Sequence, residues 1–163
     1  MEWGRGQSIR LLLKYAGIQF TDKGYANPMD WNSGKFTLGL DYPNILYYID
    51  HDLKLIQSIA IMRYLGKKHG LSAISEPQRD VQYMAAQQLQ DVLQGLAAIM
   101  YGPGDGEANP RPISLALSSL SWIFILAYNV LDILRLYAPE SVAKHPTIGQ
   151  YLDIFEALPA IKA

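Results

Sequence analysis

Apolar and polar positions change period several times along this chain, and each change marks an element. Residues 8–16 (SIRLLLKYA) set Leu11 and Leu12 inward at helical spacing and close at Gly17. Residues 18–21 (IQFT) alternate as a strand does, and 26–34 (ANPMDWNSG) read as a loop. Residues 44–49 (NILYYI) are rich in β-formers, 50–52 are polar and turn-like, and 53–57 (LKLIQ) alternate again, which predicts an antiparallel hairpin. Ser58 follows where a helix N-cap belongs. Ile59, Met62 and Leu65 then recur at helical spacing, Lys67 and Lys68 lie near the end, and Gly70 stops the run. After a linker at 71–77, residues 78–101 place Val81, Met84, Ala85, Leu89, Val92, Leu96 and Met100 near one stripe of a long helix. Residues 102–112 are rich in helix breakers, and 149–158 form a last short amphipathic helix with Tyr151, Leu152 and Phe155 on one side.

One stretch needs separate treatment. Residues 113–131 (ISLALSSLSWIFILAYNVL) hold no charged side chain, and nineteen such residues meet the length of a membrane span. Four serines dilute the run and no basic cluster flanks it, which favours a buried central helix over a membrane-associated one.

Composition narrows the chemistry. The chain of 163 residues has room for one large domain or two small ones. A formal net charge of -1 gives no reason to expect nucleic acid as a partner. Cysteine is absent, which excludes disulfides, protein thiolate catalysis and thiolate metal sites, and suits a cytoplasmic location. His51, His69 and His145 lack metal-ligand spacing, so no metal site is expected, and MEWGRGQSIR has no apolar signal-peptide core. The polar pair Gln57-Ser58 stands where a strand hands over to a helix. Free N–H groups and the positive end of the helix dipole there suit a carboxylate or phosphate.

Three blocks, SIRLLLKYAGIQFTDKGY, KFTLGLDYPN and LYYIDHDLKLIQSIAIMRYLGKKHG, together resemble the N-terminal domain of cytosolic glutathione transferases, mu-type first and sigma-like second. The resemblance is dense from Ser8 to about Tyr101 and thins afterwards. It implies an α+β fold, an incomplete thioredoxin-like N-terminal domain followed by an all-α C-terminal domain. The boundaries would be 1–70, a linker at 71–77, and 78–163 with an internal deletion. It also implies conjugation of glutathione thiolate to hydrophobic electrophiles, a detoxifying activity. Glutathione would be a co-substrate with no further cofactor, and the protein a cytoplasmic homodimer.

Carried over residue by residue, the resemblance gives Gln57 and Ser58 the γ-glutamyl carboxylate, and Trp31 and Lys35 the glycine end. Asn44, Ile45 and Leu46 would border the cysteinyl part. Asp91 would reach the glutathione amine across a dimer interface, and Tyr101 would lie over the electrophile pocket. Trp3 would match a tryptophan that follows the family's catalytic tyrosine. Two departures stand out. The family's first strand, interior to its sheet, and the thiolate-stabilising tyrosine at its end have no counterpart, so no catalytic residue is assigned; Glu2 stands before Trp3. An unpaired interior edge costs about 1–3 kcal/mol per buried group, and a hydrogen bond to a charged group is worth roughly 1.5–3 kcal/mol. The chain therefore reads as truncated, with a weak or inactive binding protein as the alternative. The second departure is Leu46, where the family has a cis-proline. A cis bond before leucine costs about 2.5–4 kcal/mol, so a trans bond is expected. Tyr15 is a packing residue in this reading, and Ser8 a helix cap.

Overall fold

A computed structural model describes residues 4–101 and 121–162, with the backbone alone for 99–101. Its element order is α1 (Gln7–Tyr15), α2 (Pro28–Gly34), a 3-10 turn (Lys35–Leu38), β1 (Tyr47–Asp50), β2 (Leu53–Ile56), α3 (Ser58–Lys68) and α4 (Glu76–Tyr101). Then follow α5 (Trp122–Tyr137), α6 (Pro139–Ala143), α7 (Pro146–Glu156) and α8 (Pro159–Lys162).

The expected hairpin forms. Strands β1 and β2 pair antiparallel with Tyr47 opposite Ile56 and Asp50 opposite Leu53, across a turn at His51-Asp52 where His51 takes φ 54°. Three local expectations need correction. Residues 18–21 are not a strand; among the described residues the sheet has two strands, and alternation without a ladder partner does not make a strand. Residues 28–34 are a helix rather than loop. Asn27 caps it by accepting from the N–H groups of Met29 and Asp30, and Pro28 supplies the first-turn φ. Ser8 is the second residue of α1 and no cap; Gly6 holds that position, and the buried Ser8 hydroxyl makes no hydrogen bond.

One core joins α1, α3, α4, α5 and α7. Leu12, Ile61, Met62, Leu65, Leu89 and Phe155 are fully enclosed in it, and Tyr15 packs against its edge, as expected. Helix α3 ends at Gly70, whose φ of 69° suits glycine. Gly66 lets α3 approach α5 closely: a Cβ there would lie 2.6 Å from the Trp122 ring. Trp122 also donates its backbone N–H to Leu71 and its indole N–H to Gln82, which further accepts from the Ala73 N–H. These bonds fix α3, α4 and α5 to one another.

Residues 122–131 of the uncharged run are the buried body of α5, as the core reading expected; 113–120 and the breaker-rich 102–112 lie outside the described residues. Among the described residues no helix is long and apolar enough to cross a membrane. Helix α7 buries Leu152 and Phe155 on the expected side. The α4 stripe is narrower than expected. Leu89 and Leu96 are buried, but Val81 and Met84 are exposed, because α5 covers only one side of the helix.

Candidate functional site

The α3 corner starts from backbone geometry. Gln57, not Ser58, is the N-cap of α3, and it takes φ 68°, ψ 117°, a left-handed position costing on the order of 1–3 kcal/mol for a residue with a Cβ. That turn lets the chain leave β2 and begin α3 at once. The price of the sharp exit is an uncapped helix end: no side chain caps α3, and among the described residues nothing accepts the N–H groups of Ser58, Ile59 and Ala60. The Gln57 side chain is exposed, while Ser58 is 8 % exposed with its hydroxyl unpaired. Free donors, a hydroxyl and the dipole's positive end are the features that suit an anion.

An aromatic box flanks that corner. Trp31, buried in α2, stacks on Tyr47 at 6.0 Å between centroids and meets Tyr25 edge-on at 5.3 Å. The Tyr25 and Tyr47 hydroxyls lie 2.8 Å apart. Burial first, and the bond to Tyr25 next, push the Tyr47 hydroxyl up to about 12. Since Tyr47 pairs with Ile56, the residue before Gln57, the box and the α3 N-terminus share one end of the hairpin. Lys54 ties the 3-10 turn to β2 by donating to the Leu38 carbonyl at 2.8 Å. Lys35, in that turn, donates to Asn32 at 3.0 Å and lies 5.2 Å from the centroid of Phe36, so its charge stays at the surface.

The remaining expected residues divide. Asn44 and Ile45 are exposed, and Leu46 is half-buried against the core; no cis peptide bond occurs among the described residues, so the bond before Leu46 is trans. Asp91 is exposed on α4, where it accepts from the Gln87 and Gln88 amides. Trp3 and the Tyr101 side chain lie outside the described residues. Tyr25 and Tyr47 had no place in the sequence expectation. Their signal was an aromatic pair either side of Trp31, visible but not distinguishable from strand composition.

Behind the hairpin, Asp50 accepts from Tyr48 at 3.4 Å, from Tyr64 at 3.1 Å and from Lys68. The Lys68 ammonium holds the Asp50 carboxyl below its usual range, and Asp50 in turn raises Lys68. No group of three or more histidine, cysteine or acidic side chains suited to a metal occurs among the described residues.

Comparison with known proteins bears on this arrangement. Residues 2–67 match the family model described as Glutathione S-transferase, N-terminal domain. "Glutathione S-transferase 2" of Gallus gallus is 33 % identical over 185 residues, covering 98 % of this chain and 84 % of the relative. "Glutathione S-transferase class-mu 26 kDa isozyme 1" of Fasciola hepatica is 34 % identical, covering 98 % and 81 %. Among solved structures, that of the glutathione S-transferase Blo t 8 superposes with a TM-score of 0.85 at 29 % identity, over 98 % of this chain and 88 % of the other.

Proposed function

The chain belongs to the glutathione S-transferase family, and from that premise we propose that it binds glutathione and conjugates its thiolate to hydrophobic electrophiles. The uncapped N-terminus of α3 carries this reading. The γ-glutamyl carboxylate takes the Ser58 hydroxyl and N–H, with Gln57 beside it. Lys35 faces the glycine carboxylate as a point charge, Trp31 shapes the pocket wall, and Asn44, Ile45 and Leu46 border the cysteinyl part. Glutathione is a co-substrate in this reading, with no resident cofactor.

A homodimer is part of the proposal. Met84, Gln88 and Asp91 share the exposed face of α4 with Val81, and Met84 is 64 % exposed. A second copy on that face would cover its apolar side chains and bring Asp91 to the neighbouring glutathione amine. Trp3 and Tyr101 keep their places in the proposal as further glutathione and electrophile contacts. A cytoplasmic location belongs to the same reading, the chain having no cysteine to oxidise. The alignment to the Gallus gallus protein is longer than this whole chain, so the matched span of that relative contains residues without a counterpart here. This supports the internal deletion.

A second reading, binding without turnover, is favoured by Glu2 in the place before Trp3, where a carboxylate would raise rather than lower a thiol's pKa. Retention on immobilised glutathione, together with conjugation of a chromogenic aryl chloride, tests both. Retention that falls about tenfold in Ser58→Ala supports the carboxylate site. Retention with undetectable conjugation selects the second reading. Failure to bind at millimolar glutathione overturns both.

A further inference from the structure

Residues 25–40 contribute no side chain to the main core, and no backbone hydrogen bond joins them to the hairpin. Side chains tie this stretch down at both ends. Tyr25 meets Tyr47 of β1 hydroxyl to hydroxyl at 2.8 Å, and Lys54 of β2 donates to the Leu38 carbonyl at 2.8 Å. Between the ties, Trp31 is the one buried side chain of α2. Tyr47 lies against its face with the ring planes 16° apart, and Tyr25 meets it edge-on at 72°. The hydroxyl bond thus closes two rings around the indole. Trp31 in turn places Lys35, whose backbone N–H donates to the Trp31 carbonyl one helical turn back.

We propose that Tyr25 and Tyr47 are positioning residues that act through Trp31 and Lys35 to set selectivity for the glycine end of glutathione, an inference that rests on the glutathione reading above. Ring packing alone does not fix the indole, because offset aromatic pairs slide over one another at little cost. A hydrogen bond between hydroxyls has a narrow range of distance and angle, so it locks the two tyrosines and the ring between them. The opposite half of the ligand is held independently. Helix α3 is anchored by Ile61, Met62 and Leu65, all fully enclosed, so Gln57 and Ser58 keep their places when the box loosens. Selectivity is a difference of affinities, and the box bears on one half of the ligand only.

The test is calorimetric titration of the full chain with glutathione and with γ-glutamylcysteine, the same thiol without its glycine. The unsubstituted chain prefers glutathione about tenfold. Tyr47→Phe lowers the affinity for glutathione about fivefold and leaves that for γ-glutamylcysteine unchanged. Tyr25→Phe does the same from the other side of the bond and stands in if Tyr47→Phe does not fold. In a Trp31→Phe chain, where the preference is already lost, adding Tyr47→Phe has no further effect on either ligand. Equal weakening of both ligands by the tyrosine variants, or an undiminished loss in the Trp31→Phe chain, would overturn the proposal. Equal affinity of the unsubstituted chain for the two ligands overturns it and leaves the glutathione reading standing. Binding of neither ligand overturns both together.

Discussion

The joint around Trp122 and the hairpin side of the molecule are organised in opposite ways. At the joint, Trp122 is enclosed, packs closely on Gly66, and has both its backbone and its indole N–H bonded. On the hairpin side, Trp31 and Leu40 are the only buried apolar residues between 18 and 57, while Phe20, Ile45 and Ile49 are open to solvent. Stability is therefore concentrated in the helices, and the hairpin side buries little apolar surface. A two-stranded sheet is marginal alone and holds its shape here because α3 packs Leu55 and Tyr48 against the core.

The largest effect that tests this contrast is Trp122→Ala. Removing an enclosed aromatic and leaving a cavity between α3 and α5 costs about 3–5 kcal/mol, read as a lower denaturant midpoint. If the alanine variant does not fold, Trp122→Phe keeps most of the volume and loses only the bond to Gln82, so a smaller drop is measured. Ile49→Ala, on the open side, changes stability by no more than about 0.5 kcal/mol. Comparable losses at the two positions would erase the distinction.

The same contrast explains what the sequence disclosed. The helices of the core were legible because burial on one face enforces a period, as in Leu11 and Leu12 of α1 or Leu152 and Phe155 of α7. The hairpin was legible from its turn. Residues 18–21 were misread because alternation reports a half-buried segment and says nothing of a ladder partner. Helix α2 was missed because Asn27-Pro28, read as a breaker, is here a cap and a first-turn proline. At the site, Gln57 and Ser58 were recognisable by their junction, but the left-handed φ of Gln57 depends on how β2 meets α3. The Tyr25–Trp31–Tyr47 box depends on a tertiary meeting of α2 with β1, which no local pattern encodes.

An intermediate effect lies in that box. Tyr47 holds its proton to about 12, while an unfolded tyrosine ionises near 10. Its contribution to stability is fully present below about pH 10 and declines as pH rises through the folded value. Tyr47→Phe flattens this alkaline decline, and phenolate absorbance of the native protein loses the step near pH 12. Early ionisation of every tyrosine, at the same pH as in urea, would show that the box is as open as the rest of the hairpin side.

The smallest effect belongs to Asp50, whose partners Tyr64 and Lys68 bring α3 to the back of β1. Its carboxyl is lowered by Lys68, so its contribution is present above the ordinary carboxylate value of about 3.9 and is lost as pH falls through the lowered one. Lys68 is raised by Asp50, so its share is present below about 10.4 and is lost as pH climbs through the higher value. Asp50→Asn removes both limbs while the alkaline step of Tyr47 survives. Thermal unfolding followed from acid to alkali separates the two: a pH profile unchanged by Asp50→Asn would mean that water, rather than this ion pair, holds the hairpin against α3.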